Sequence, residues 1–352
     1  MNHYLFTITI AIFTLLSIGL VYAEKSNTID TKGIQQQQNF DNTTITTEKK
    51  STSFNIAVAA DWGCKDDAKK TSRNIQEKNP ELVVAAGDLS YKGQGDCWEN
   101  IISPLESKLK VSMGDHEYHD TQGGTIGVLN EYLKPLDIAK TYYSFDLNNV
   151  HFVFIDPYLD YKPGSEQYQF IENDLKTAST NPKIDWTFVV EHIPMYTSPS
   201  KHSADSTIRN IYHPLFDKYK IDLVFSGDNH NYQRTFPLKY NNQSGDSVNN
   251  PIITDKNQNN YNADSGVIYL ITGTAGRSLY EIKQQAPFVA KQDDKDFGFL
   301  NIDINGKTLK GTFYKNENEK GIINFSFQSN QIADQFTISK TNEPDTNKRL
   351  NL

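Results

Sequence analysis

Short apolar runs separated by polar stretches set the pattern of this chain from residue 54 to residue 340. FNIAVAA (54–60), ELVVAAG (81–87) and LKVSMG (109–114) are nearly unbroken apolar runs of strand length, as expected of strands buried on both faces. Between the first two, DDAKKTSRNIQEKN has helical composition. YYSFDL (142–147) and VHFVFID (150–156) flank Asn148-Asn149, which predicts a hairpin. SEQYQFIENDLKTAS (165–179) spaces its apolar residues as a helix does and stops before Asn181-Pro182. WTFVVEH (186–192) predicts a strand, and IDLVFSG (221–227) another. Between them IRNIYHPLFDKYK (208–220) predicts a helix whose stripe of Ile208, Ile211 and Leu215 faces the core. Gln233 to Asp264 is mostly polar and predicts a long surface excursion. VIYLITGT (267–274), FGFLNIDI (297–304), TLKGTFYK (308–315), INFSF (323–327) and QFTIS (335–339) predict a β-rich close. The expected architecture is layered α/β, with mixed β-sheets forming a β-sandwich core flanked by α-helices.

The N-terminus breaks this pattern. Residues 5–21, LFTITIAIFTLLSIGLV, carry no charge, and Val21-Tyr22-Ala23 offers the spacing a signal peptidase reads, although MNHY lacks Lys and Arg. Residues 1–23 therefore read as a signal peptide, with an uncleaved N-terminal membrane anchor as the alternative. Residues 24–53 have almost no apolar content and read as a disordered polar linker. That leaves 54–340 as the folded domain and 341–352 as a flexible tail. The expected location is secreted or at the cell envelope. The formal net charge of −8 argues against a nucleic-acid groove. The two cysteines, Cys64 and Cys97, suggest one disulfide in an exported protein, two separate thiols being the alternative.

Polar clusters recur where the apolar runs end. Asp61-Trp62-Gly63, Gly87-Asp88-Leu89-Ser90-Tyr91, Gly114-Asp115-His116-Glu117, Glu191-His192-Ile193-Pro194 and Gly227-Asp228-Asn229-His230 each follow a predicted strand. One Asp after a strand is an ordinary turn or cap residue. Five such clusters on one sheet edge would gather four carboxylates, an arrangement that is repulsive unless cations occupy it. Two metal ions are the natural solution.

The ordered blocks DWG, GDLSY, GDHE, VVEH and GDNH resemble those of purple acid phosphatases, within the calcineurin-like metallophosphoesterases, over about residues 54–340. The family pattern is DxG, GDxxY, GNH[DE], VxxH, GHxH. The resemblance implies that Asp61, Tyr91 and His230 ligate a first metal, expected to be ferric iron, with Asp88 bridging. His192 would ligate the second metal. Asp115 and Asp228 stand where the pattern has Asn and His, and would serve that second metal as oxygen donors. That favours a hard divalent ion (iron, manganese, magnesium or calcium) over zinc. His116 and His202 would contact substrate and assist the departing oxygen.

The activity implied is hydrolysis of small phosphate monoesters by attack of a metal-bound hydroxide, in the manner of acid phosphatases. A phosphodiesterase or nucleotidase on the same scaffold is the alternative, as is a relative that binds phosphate or metal without turnover. Other polar residues carry two readings. Arg234 could pair with phosphate or form a structural salt bridge. Glu117 and Glu191 could orient ligands or face solvent, and Trp62 could line the pocket or pack beneath it. His151 reads as a sheet residue, His213 as helix packing or capping in preference to a ligand, and His119 as a solvated loop residue, with support of a metal ligand as its alternative.

Overall fold

The computed structural model describes residues 53–340 except 93, 120–128, 130, 131, 135, 244–249 and 317–330. The predicted leader 1–23, the linker up to residue 52, the strand 323–327 and the tail 341–352 lie outside the described residues.

The first half contains β1 (Ser53–Ala59), α1 (Asp66–Lys78), β2 (Leu82–Ala86), α2 (Gly95–Ile102), β3 (Leu109–Ser112), α3 (Asp115–His119), β4 (Tyr143–Leu147), β5 (Val150–Phe154) and α4 (Glu166–Thr180). The second half contains β6 (Trp186–Val190), α5 (Ser206–Tyr219), β7 (Leu223–Ser226), β8 (Tyr232–Thr235), β9 (Leu238–Lys239), β10 (Ile252–Ile253), β11 (Asn260–Asn262), β12 (Ile268–Thr272), β13 (Val289–Asp293), β14 (Gly298–Asn305), β15 (Thr308–Lys315) and β16 (Ile332–Ser339).

Two seven-stranded mixed sheets result. One has the order β11-β16-β15-β14-β1-β2-β3 and the other β13-β8-β12-β7-β6-β5-β4. Within them β1, β2 and β3 run parallel, and so do β5, β6, β7 and β12. Alternate side chains of each strand go to different layers. Ile56, Val58, Val84, Phe152, Phe188 and Phe225 meet between the sheets. Ala57, Val83 and Val111 face α1 and α2, while Val153, Val189 and Val224 face α4 and α5. Helices on both outer faces explain why these strands read as unbroken apolar runs, since neither face meets water. Ser165 caps α4 by accepting from the Tyr168 amide, and Asp205 caps α5 by accepting from the Thr207 and Ile208 amides. Asn148 adopts φ 54° in the tight turn joining β4 to β5, the conformation such a hairpin requires.

The surface excursion expected from Gln233 to Asp264 is corrected at its start. Tyr232–Thr235 form β8, fully buried between β12 and β13. Its polar side chains are satisfied inside the protein, which is why polarity misleads there. Gln233 donates to Thr197 Oγ1 and Asn231 Oδ1. Arg234 makes a two-pronged bond to Asp334, at 2.6 and 2.9 Å, and donates to Tyr261 Oη at 2.6 Å. Arg234 is thus a buried structural ion pair and is not at the mouth of a phosphate site. His151 sits in the sheet between Asp146 (2.6 Å) and Asp174 (2.8 Å), and His213 packs in α5 against Tyr196. Ile208 and Leu215 are buried and Ile211 half-buried, all in the layer under α5. Cys64 and Cys97 are joined as a disulfide.

Candidate metal centre

Every predicted cluster follows the carboxyl end of a strand, and the strands of both sheets deliver these ends to one place. Asp61, Asp88 with Tyr91, and Asp115 follow β1, β2 and β3 of the first sheet. His192 follows β6, and Asp228 and His230 lie between β7 and β8 of the second. The backbone turns abruptly to do this. Asp61, Asp88 and Asp228 adopt φ of 60°, 51° and 64°, the left-handed region that few residues other than Gly, Asn and Asp enter readily. Two glycines are required by close approach. A Cβ on Gly87 would lie 2.3 Å from the His192 ring, and one on Gly114 would lie 2.1 Å from Asp88 Oδ1.

Two groups of donors result. In the first, Tyr91 Oη lies 3.3 Å from Asp61 Oδ1 and 3.2 Å from His230 Nε2, and His230 Nε2 lies 3.4 Å from Asp61 Oδ1. In the second, His192 Nε2 lies 3.3 Å from Asp88 Oδ1 and 3.7 Å from Asp115 Oδ1, and Asp228 completes a set with His192 and Asp115 whose donor atoms all fall within 4.8 Å of one another. Asp88 belongs to both neighbourhoods, since it also forms such a set with Asp61 and His192. The structure thus brings together all seven side chains that the sequence marked as ligands.

The fit to cations rests on several observations. Asp61 Oδ2 and His192 Nε2 are buried, and neither has a hydrogen-bond partner. Each imidazole is held by its other nitrogen, His192 Nδ1 on Ala86 O at 2.9 Å and His230 Nδ1 on Ser278 O at 2.8 Å, so that Nε2 faces the carboxylates. Burial pushes Asp61 up to about 7 and raises Asp88 and Asp228 as well. Asp115 is held at about 2, because the adjacent His192 imidazole outweighs its partial burial. Burial alone would lower His192, but Asp88 and its neighbours raise it well above the ordinary range. Burial takes His230 down to about 3. Carboxylates this crowded favour cation binding, and the imidazole nitrogens are oriented as ligands require.

Around the donors, Glu117 accepts backbone hydrogen bonds from Asp88 (3.0 Å), Leu89 (2.9 Å) and Gly114 (2.7 Å). Of its two sequence readings, the orienting one holds. Glu191 is fully buried, so solvent exposure does not account for it, and neither carboxylate oxygen has a partner. Trp62 is fully buried and packs under the site. His116 Nε2 lies 3.8 Å from Asp88 Oδ2, and His202 Nδ1 lies 3.8 Å from Asp228 Oδ1. His119 is exposed. Asn229 ties the loop bearing His202 to the site, accepting from the His202 amide and donating to His202 O and Thr197 Oγ1.

Sequence reasoning missed Arg277, Tyr280 and Tyr158. The Arg277 guanidinium carbon lies 4.2 Å over the Tyr91 ring, and Tyr280 stacks on His230 at 3.8 Å. Tyr158 lies close enough to Asp115 and Asp88 that their charges add to the rise that burial gives its phenol. GRSLY, running on from the apolar β12, was the available signal for the first two.

Carboxylates and imidazoles gathered at the strand ends of two facing mixed sheets form a candidate metal centre. A sequence profile described as calcineurin-like phosphoesterase matches residues 54–232, and one described as iron/zinc purple acid phosphatase-like protein C matches residues 266–323. The chain belongs to the calcineurin-like phosphoesterase family, on its purple acid phosphatase side.

It is 30% identical over 198 residues to probable purple acid phosphatase 20 of Arabidopsis thaliana, covering 51% of this chain and 46% of that one. It is 28% identical over 288 residues to probable inactive purple acid phosphatase 24 of the same plant, covering 75% and 44%. The chain thus spans less than half the length of these curated relatives. Among solved structures, a purple acid phosphatase from yellow lupin (Lupinus luteus) seeds superposes with a TM-score of 0.69 at 24% identity, over 83% of this chain and 54% of that one. GAP50, described as the anchor in the inner membrane complex of Plasmodium, superposes with a TM-score of 0.53 at 16% identity, over 78% and 87%. At these identities both show a shared fold.

Proposed function

We propose that this chain hydrolyses small phosphate monoesters with two cations, one held by Asp61, Tyr91 and His230, the other by Asp115, His192 and Asp228, with Asp88 shared. One observation carries the reading: two adjoining donor groups whose buried Asp61 Oδ2 and His192 Nε2 have no hydrogen-bond partner. When bound, such ions neutralise phosphoryl charge and lower the pKa of water, supplying the nucleophile. The protein's own groups do the rest. The amide of His116 donates to Asp88 Oδ1, and Glu117 fixes the backbone of that same Asp. His116 and His202 stand at the edge of the cluster, each part exposed, where either can give a proton to the departing oxygen.

The donor chemistry supports a ferric ion beside Tyr91. Asp115 and Asp228 support a hard divalent ion, ahead of zinc, in the second place. We read the protein as exported, on the uncharged run 5–21 and the Cys64–Cys97 disulfide.

A second reading, binding without turnover, is favoured by the same two substituted carboxylates and by relatives named as inactive phosphatases. Metal content and phosphate-ester hydrolysis measured on one preparation separate the two. The proposal expects two bound ions and turnover, with Asp228→His and Asp115→Asn shifting metal preference toward zinc. Metal-loaded protein that hydrolyses no phosphate ester across about pH 4 to 9 would support the second reading. An active preparation that is colourless and free of iron would remove the ferric assignment alone.

A further inference from the structure

Asp61 and Tyr91, two members of the first donor group, stand 30 residues apart in sequence. The chain between them runs out through α1 and back along β2. A second covalent path is much shorter. Cys64, just after Asp61-Trp62-Gly63, is bonded to Cys97, which lies in the helix that follows Tyr91, and their Cα atoms are 6.0 Å apart. The Tyr91 ring fills the angle between these two stretches. It lies against Gly63, the neighbour of Cys64, so closely that a Cβ added there would stand 3.5 Å from Tyr91 Cδ2.

The other donors of this group are fixed by hydrogen bonds. The Asp61 carbonyl accepts from the Gly276 and Arg277 amides at 3.2 and 2.9 Å, and the Asp61 amide donates to Gly87 O at 3.2 Å. His230 is held through Nδ1 by Ser278 O, and Asp88 and Leu89 by Glu117. Ser90 is tied through its hydroxyl to Tyr132. There this support ends: among the described residues, the Tyr91 main chain makes no hydrogen bond. The chain then turns at Lys92, whose φ of 58° persists only where the surroundings impose it. Cys97 fastens the chain again on the far side of that turn. Asp115, His192 and Asp228 of the second group lie outside the loop that the disulfide closes.

We propose that Cys64 and Cys97 are positioning residues for the first metal place and act through Tyr91. Without their bond, the segment from Tyr91 to Cys97 is free to carry the phenol away from Asp61 and His230, which its hydroxyl now meets at 3.3 and 3.2 Å. With the bond, the ring stays against Gly63 and the hydroxyl stays on its partners. Neither sulfur is a member of a donor group. Affinity in the first place therefore depends on an intact disulfide, and affinity in the second does not. Partners that orient a metal ligand typically contribute about 10–100-fold in affinity. The inference rests on the two-cation part of the reading above and is independent of turnover.

The test strips the metal from wild type, Cys64→Ala with Cys97→Ala, Tyr91→Phe, and all three changes combined. Each is titrated with ferric nitrilotriacetate, bound iron being counted after gel filtration, and then with manganese(II) by calorimetry at saturating iron. Wild type reduced while metal-free and alkylated at both sulfurs gives a second form with the disulfide open. Opening the disulfide is expected to weaken ferric binding about 10–100-fold and to leave manganese binding within about threefold. In Tyr91→Phe, which has already lost the phenol, removing the cysteines should add less than about threefold, because both changes act on one contact. Arg234→Ala, destabilised away from the site, should bind both ions as wild type does, which separates positioning from loss of stability. Unchanged ferric binding with the disulfide open, equal weakening of both ions, or fully additive losses would overturn the proposal. Wild type that takes up no ferric ion overturns it together with the ferric assignment. If the expected binding pattern holds and no phosphate ester is hydrolysed, the hydrolytic reading fails and the positioning role stands.

Discussion

Replacing Glu117 with Ala tests whether the loops are held as described. The carboxylate has zero solvent exposure and accepts from the Asp88, Leu89 and Gly114 amides at 3.0, 2.9 and 2.7 Å. Burial raises its pKa, and the backbone bonds oppose that rise. Alanine leaves three N–H donors facing a cavity. Bonds to an ionised acceptor are worth about 1.5–3 kcal/mol each. Relief of a buried charge next to Asp88, and water entering the cavity, offset part of the loss. A net destabilisation of about 3 kcal/mol remains, or a fall of roughly 5 °C in melting temperature for a domain of this size.

The effect should extend to metal affinity. Asp88 sits at φ 51°, and the bond to its amide helps hold it there. The assay is thermal and urea denaturation of metal-stripped wild type and variant, followed by metal titration watched by calorimetry. Stripping removes the contribution of bound ions to apparent stability, so the two effects separate. A variant that melts within about 1 °C of wild type when metal-free would refute the claim that this carboxylate holds the three amides.

Arg234→Ala leaves Asp334 buried without its partner and should cost about 3–5 kcal/mol in urea unfolding, with KM for any substrate unchanged. At His151, burial alone would depress the pKa, but hydrogen bonds to Asp174 and Asp146 raise it above 6.5. Its contribution to stability is therefore full below the unfolded-state value and is lost as pH rises through the higher folded one. Urea midpoints of wild type and His151→Gln should converge as pH increases, and a gap that widened would contradict the assignment. Reducing the Cys64–Cys97 disulfide, which closes 33 residues, should lower stability by about 3–4 kcal/mol, read from melting with and without a membrane-permeant reductant.

The layered fold was legible because helices cover both sheets, so the central strands left a plain apolar signature from Phe54 to Ile271. Where burial is achieved by pairing polar groups, as for Gln233 and Arg234 in β8, that signature vanishes, and the strand read as surface. The convergence of Asp61, Asp88, Asp115, His192, Asp228 and His230 was visible because each stands just past an apolar run, and parallel strands share the end where those runs stop. Arg277, Tyr280 and Tyr158 follow no such rule. They reach the site through loop paths, and the stacking of a ring or guanidinium on Tyr91 or His230 has no counterpart in linear spacing. Nor did sequence decide Glu117, whose partners are backbone amides and leave no trace in residue type.

Asp61, Asp88, Tyr91 and Asp115 hang from one sheet, and His192, Asp228 and His230 from the other. Ions lodged between them would act as rivets through the seam of the sandwich, resisting any sliding of its two leaves. A copy of the chain that lost them would keep the apolar layer between its leaves but lose the fastening along one rim of it.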